Sequence, residues 1–237
     1  MSVNTRGIST APTAAHLCKL VGKTPEETAK LIIEFRSQTF TVQTWRAVDY
    51  LQRRLSGENA EFLISQANKD PRTAVGKAAL ETLPLINHYI EQHPYKKFYA
   101  LSPSKLVLTP TLQVPLKPLG MVVNDEGAMI LSGQVWKNIS LNSHAFRLWA
   151  TMLKFGVLDN DPDLDDFHWL EMSAPRKGGQ RELNVRTLDA VGFYSEEEFS
   201  GYIRNIDAAM AIVDKAKKSK RQRKSDPKQG NFFGSDD

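Results

Sequence analysis

Residues 113–137, QVPLKPLGMVVNDEGAMILSGQVWK, constrain the fold more than any other stretch of the chain. Aliphatic residues run on both sides of Asn124-Asp125-Glu126-Gly127, residue types that favour a tight reversal. The pattern predicts a hairpin of two strands, residues 120–123 and 128–136. Two short strands precede it, 105–108 and 112–116, separated at Pro110, and residues 120–123 are expected to continue the second of them past Pro118. After the hairpin, Asn142 or Ser143 caps a helix with Ala145, Leu148, Trp149, Met152 and Phe155 on one face and Gly156 at its end. Residues 167–174 and 182–187 then flank Arg176-Lys177-Gly178-Gly179 as a second hairpin.

Helical spacing dominates on either side of this region. A short helix is predicted over 13–21, closed by Gly22. Thr24-Pro25-Glu26-Glu27 starts another, with an N-cap, a first-turn proline and two first-turn carboxylates. Leu31, Ile32 and Phe35 form its apolar face. Further helices are expected over 44–55 and 58–66, and Asp70-Pro71 punctuates before a long one over 73–92. That helix carries Val75, Ala79, Leu83, Ile86 and Ile90 on one stripe and stops at Pro94. Ser195-Glu196-Glu197-Glu198 is a capping box that opens a final helix facing inward through Phe199, Tyr202, Ile203, Ile206, Met210 and Val213. The expected class is α/β (α+β), with a helical N-terminal part followed by a small mixed sheet of four or five strands flanked by helices. Residues 1–12 and 214–237 are read as disordered, 13–72 as a helical N-terminal region and 73–213 as the α/β domain.

At 237 residues and 41% hydrophobic, the chain can build one sizeable core, alone or with a helical appendage. No apolar run approaches the roughly 20 residues of a membrane span. The opening MSVNTRGISTAPTAAHL has no apolar core of a secretory signal. The one cysteine, Cys18, fits a reducing compartment and reads as a packed small residue. The expected location is cytoplasmic, or nuclear in a eukaryotic source.

The net charge of +4 is concentrated rather than spread. Of the 31 basic and 27 acidic side chains, 8 and 4 fall in the last 24 residues, so residues 1–213 hold 23 of each. A neutral body lacks the uniformly basic surface of an architectural DNA-binding protein.

The order helix, strand, strand, turn, strand, helix, hairpin, helix resembles the PD-(D/E)XK nuclease-like superfamily, and within it an uncharacterised bacterial group. Phe98-Tyr99-Ala100-Leu101 with Pro103 matches the family's lead-in, and Val114, Leu116, Lys117 and Pro118 its first motif strand. Gly127 matches the turn, and Ile130, Val135 and Trp136 the next strand. Residues 145–153 match the helix, Leu170-Glu171-Met172 the later strand, and Ile203 and Ile206 the closing helix. The similarity spans about residues 73–213 and implies a restriction-endonuclease-like fold. Two motif positions depart from the family. Leu119 stands where the metal-binding aspartate follows the proline, and Ser132-Gly133-Gln134-Val135 stands where a Glu or Gln precedes a Lys. The resemblance therefore implies an eroded metal site.

Phosphodiester hydrolysis in this superfamily uses carboxylates converging on Mg²⁺ and a lysine that stabilises developing charge. The surviving candidates are Asp125, Glu126, Glu171 and Lys137. Asp125 and Glu126 also suit a turn for backbone reasons alone. Glu171 lies in Phe167-His168-Trp169-Leu170-Glu171-Met172, on the same face as two aromatics, so burial there demands a partner. No cofactor is expected, except Mg²⁺ if cleavage survives. Asp159-Asn160-Asp161-Pro162-Asp163 opens like an EF-hand, but Leu164 and Leu170 occupy its glycine and glutamate positions. The five histidines have no zinc spacing. Residues 17–32 are faintly like a helix-turn-helix, with Thr28 at a position that wants an aliphatic side chain.

Lys215, Lys217, Lys218, Lys220, Arg221, Arg223, Lys224 and Lys228 are the strongest charge signal. Such a run suits phosphate contact on DNA or RNA without sequence readout, and equally a solvated terminus, a nuclear import signal or an anionic-lipid contact. If the folded domain carries the basic patch instead, Lys117, Lys137, Arg147, Arg176 and Lys177 are its candidates. Phe232 and Phe233 near the end are a pattern that a protein partner's groove can capture. Three readings follow: a nucleic-acid-associated protein with an eroded site, a Mg²⁺-dependent nuclease with a rebuilt site, and a non-enzymatic scaffold.

Overall fold

Local capping chemistry sets most of the helix starts. The Ser195 hydroxyl accepts from the Glu198 amide (3.2 Å) while the Ser195 amide donates to the Glu198 carboxylate (2.8 Å), a closed capping box. Asn142 accepts from the Ala145 amide (2.8 Å), and Thr24 from the Glu27 amide (3.2 Å). The computed structural model describes residues 9–37, 44–135, 141–174, 179–187, 190 and 192–225.

In chain order the elements are β1 (Ser9–Thr10), α1 (Ala14–Leu20), α2 (Pro25–Ser37), a 3₁₀ turn (Thr44–Ala47), α3 (Val48–Leu55), α4 (Ala60–Asn68) and α5 (Thr73–Gln92). Next come β2 (Lys97–Tyr99), β3 (Ser104–Val107), β4 (Leu112–Leu116), β5 (Gly120–Val123) and β6 (Ala128–Gln134). Finally come α6 (Ser143–Gly156), a 3₁₀ turn (Leu158–Asn160), β7 (Leu164–Glu171), β8 (Asn184–Thr187) and α7 (Glu196–Ser225). The protein is a mixed α/β structure, as expected from its periodicities.

The main sheet has five strands in the order β2-β5-β6-β7-β8. β5 and β6 pair antiparallel around the predicted turn, and β7 and β8 form the second hairpin. β6 and β7 run parallel, which a tight turn cannot connect, and α6 supplies the crossover. One expectation fails here. β5 does not continue β4: β4 belongs to a separate three-stranded sheet, β1-β4-β3. The chain changes sheets across Lys117-Pro118-Leu119, where the proline has no amide for a ladder.

Side chains alternate across β6 and β7. Ile130, Phe167 and Trp169 face a core built with Leu17 of α1, Phe146 and Trp149 of α6, and Ile206 and Met210 of α7. Leu131, Val135 and Leu170 face the opposite core, with Leu51 and Leu55 of α3 and Ile86 and Tyr89 of α5. The helices of the N-terminal region 13–72 therefore do not pack as one unit. α1 and α2 belong to one layer and α3 to the other, because each apolar stripe is buried against an element far away in sequence.

Order also begins earlier than residue 13. β1 pairs parallel with β4, and Ala11 is buried. Thr28 is fully buried at the aliphatic position of the helix-turn-helix reading, with its hydroxyl donating to Asn205 (3.0 Å) and accepting from the Gly22 amide (2.9 Å). That residue fastens α2 to α7. Cys18 packs against Met152, and burial pushes its thiol pKa well up, as suits a packed residue. No helix among the described residues is long and apolar enough to cross a membrane.

Candidate functional site

Along β6 and β7 one sheet face passes from apolar to polar. The register pairs Ile130 with Phe167, Ser132 with Trp169 and Gln134 with Glu171. All six are buried. The two strands thus carry a polar end into the layer below α6, and Glu171 is its one carboxylate.

Glu171 is 5% exposed. The Nη2 of Arg186 lies 2.8 Å from its Oε2, and the Ser173 hydroxyl donates to its Oε1 at 3.0 Å. Burial pulls the Lys19 ammonium below its ordinary value, and the nearby Glu171 charge partly offsets this. Oε1 is thus hydrogen-bonded, and Oε2 is in ion-pair contact with the guanidinium without a well-aligned hydrogen bond among the described residues. The demand for a partner that the aromatic neighbours implied is met by a guanidinium.

Arg186 was not singled out by sequence reasoning. A signal was present, since β8 pairs Glu171 with Asn184 and makes Arg186 the diagonal neighbour two residues on. Finding it required the hairpin register, which Arg176-Lys177-Gly178-Gly179 did not fix. Arg176 and Lys177 lie outside the described residues.

The other sequence candidates are not beside Glu171. Asp125 is 80% exposed on the β5–β6 turn and ion-paired with Lys96. Glu126 is exposed, and its amide and that of Gly127 donate to the Asn124 side chain at 2.9 and 3.0 Å. This is an Asx turn, with Gly127 at φ 149°, where a side chain would be strained. The turn sits before Ala128, whereas Glu171 lies opposite Gln134. Six residues of strand separate these points by about 20 Å. The grouping of Asp125 and Glu126 with Glu171 is thus corrected: a hairpin's tip and base cannot share a coordination sphere. Lys137 and Trp136 lie outside the described residues.

The two positions that depart from the family pattern face the opposite layer. Leu119 is 1% exposed in the core with Leu51, Ile86 and Leu131. Gly133 lies beside it, and a Cβ there would meet the Leu170 carbonyl oxygen at 2.7 Å and Leu119 Cδ1 at 3.3 Å. Among the described residues no three His, Cys, Asp or Glu side chains are grouped so as to hold a metal ion.

A second polar cluster lies in that layer, with Tyr89 and His168 buried and His93 partly exposed. The Tyr89 hydroxyl lies 2.8 Å from His168 Nδ1, and the His93 ring packs edge-on against His168 at 5.1 Å. Burial lowers the pKa of both histidines, and at His168 the His93 charge adds to the lowering while Asp166 partly offsets it. His16, on the other layer, is held down to about 4 by burial and by Lys19 and Lys117. These histidines are neutral when folded and gain protons more readily when unfolded. Stability is therefore present above the ordinary value of 6.5 and lost as pH falls toward 4. The urea midpoint should drop across that window. A His16→Gln/His168→Gln variant should show a flatter pH profile, and an unchanged profile would remove the histidines as its cause.

No protein-family profile matches this chain, and no curated protein does. Among solved structures it is similar to a chain described as "Putative exonuclease" from Eubacterium rectale. The two are 11% identical, with 92% of this chain and 88% of that one covered at a TM-score of 0.45, a likeness too loose to carry an argument about activity.

Proposed function

We propose that this protein associates with nucleic acid through the cationic end of α7, on a nuclease-like fold that has no working phosphodiesterase site. The observation that carries the reading is a step in charge along one continuous helix. Val213 is buried, Lys215 and Lys217 are exposed, and the helix continues to Ser225. Residues 215–224 hold seven Lys or Arg, with Lys228 beyond. The helical extension past Val213 spans about 18 Å. That differs from the disordered tail expected from residue 214 onward, because the capping box and core stripe nucleate a helix that good helix formers propagate. A cationic segment on a neutral body suits phosphate contact without base readout.

The absence of a working site in this proposal is supported by the engagement of the carboxylates. Asp125 is paired with Lys96 and Glu171 with Arg186, at opposite ends of β6. Mg²⁺ catalysis needs oxygen ligands converging on one ion.

Fluorescence anisotropy on single- and double-stranded oligonucleotides tests the first half. With about four phosphates engaged, log affinity should fall against log salt with a slope of about −3 to −4. Changing all eight tail cations to Gln in the full chain should abolish that slope without altering sequence preference. Steep, tight binding by the Gln variant would move the interface to the folded body. No binding by either protein would favour a scaffold for protein partners. Plasmid incubation with Mg²⁺ or Mn²⁺ tests the second half, beside an Asp125→Ala/Glu171→Gln variant. Cleavage by the native protein alone would establish the rebuilt nuclease.

A further inference from the structure

A cavity of about 400 Å³ lies under the first turn of α6, with His144, Arg147, Arg186 and Tyr194 in its wall and Ala190 exposed at its rim. No carboxylate is among its described lining residues. Two guanidiniums in one small cavity repel each other unless each is answered by negative charge. Arg186 is answered by Glu171. It also donates to the Leu141 carbonyl at 3.1 Å and lies over the Phe146 ring at 4.9 Å.

Arg147 differs. Its Nη2 donates to the Phe193 carbonyl at 2.6 Å and its guanidinium lies 4.1 Å over the Tyr194 ring, while its charge also acts on the Glu198 carboxylate, which is engaged at the α7 capping box and is not in the cavity wall. Its Nε is buried and makes no hydrogen bond among the described residues. A buried guanidinium N–H without an acceptor is costly, and the two arginines converge on a cavity whose described wall supplies no carboxylate. His144 adds an imidazole, held at the wall by a 2.6 Å hydrogen bond between its Nδ1 and the Tyr194 hydroxyl.

We propose that this cavity binds a phosphomonoester. A dianion would answer the Arg147 charge and offer acceptors to both guanidiniums, whose planar forks suit phosphate oxygens. The volume exceeds what one phosphate needs and falls in the range of small-ligand sites, so the phosphate comes with an organic group. That group belongs either to a free mononucleotide-sized metabolite or to the 5′ end of a strand. The site is separate from the cationic end of α7, so neither reading depends on the other.

Calorimetric titration of the full chain tests it, with inorganic phosphate, a nucleoside 5′-monophosphate and the bare nucleoside. The monophosphate should bind and the nucleoside should not. Arg147→Gln should weaken binding by about tenfold or more, the worth of a charge-assisted hydrogen bond. Ala190→Trp, which adds bulk at the exposed rim and leaves both arginines in the sequence, should weaken it similarly and decides the matter if Arg147→Gln unfolds. Changing the tail cations to Gln should leave it unchanged. A 5′-phosphorylated oligonucleotide bound more tightly than its 5′-hydroxyl twin, and more tightly than the mononucleotide, assigns the strand end; the reverse order assigns a free metabolite. The proposal is overturned if no phosphate probe binds at millimolar concentration. Binding that survives Ala190→Trp, or that vanishes only with the tail cations, overturns it as well.

Discussion

Replacing Arg186 with Ala is expected to cost about 3–5 kcal/mol of stability, the cost of leaving a buried carboxylate without its cation. Glu171 is 5% exposed, and the Ser173 hydroxyl at 3.0 Å supplies a hydrogen bond but no charge. Lys19 offsets part of the loss, being close enough to feel the carboxylate but itself partly buried. Glu171→Gln should cost less, about 1–3 kcal/mol, since it removes the charge while keeping polar atoms near Ser173 and Arg186. In the double variant the two losses should not add, because the second change no longer strands a charge. Urea unfolding at neutral pH measures all three. If Arg186→Ala costs under about 1 kcal/mol, Glu171 reaches solvent and is available as a metal ligand, contrary to the buried pair.

How far the sequence exposed this arrangement depended on whether the signal was local. The Asn124–Gly127 turn, the Ser195 capping box and the α5 stripe were legible because each is fixed within a few residues. Alternation also placed Glu171 on a face with Phe167 and Trp169. What pairs with that carboxylate was hidden, because it lies across a hairpin whose register no local pattern sets. The same limit joined β4 to β5. Both read as aliphatic strands, and only pairing with distant partners separates them into two sheets. The grouping of Asp125 with Glu171 failed for a related reason, since both sit at strand ends and only the register shows that the ends are opposite ones. Tyr89 and His168 are 79 residues apart and carry no motif that links them. Residues 13–72 read as one helical region because composition cannot show that α1 and α3 bury their stripes on different sides of the sheet.

Restoring the family-type acids should unfold the protein rather than activate it. Leu119→Asp places a carboxylate among Leu51, Ile86, Val122 and Leu131, while the buried Arg181 at the far end of that layer is already engaged by Glu81 and by the Val135 and Met172 carbonyls. Its carbonyl already accepts from Gln52 Nε2 at 2.7 Å and its amide donates to the Leu131 carbonyl at 2.7 Å, which fixes the backbone and the direction of the side chain. The cost should be about 3–5 kcal/mol, comparable to stranding a buried charge. Gly133→Ala should cost about 1–3 kcal/mol by overpacking, since its Cβ would lie 2.7 Å from the Leu170 carbonyl oxygen and β7 would have to move. A longer acid at 133 adds desolvation to the same collision. Combined as Leu119→Asp/Gly133→Glu, the losses approach the total stability of about 5–15 kcal/mol available to a domain. Thermal unfolding of the single and double variants, followed by plasmid cleavage with Mg²⁺ or Mn²⁺, reads both consequences. A Leu119→Asp protein as stable as the native one that gains metal-dependent cleavage would show that position 119 opens onto a metal-accessible cleft, and the buried-core account of that position would then fall. The expected outcome is early unfolding without cleavage, because positions 119 and 133 are packed into the hydrophobic layer between the sheet and α3 and α5.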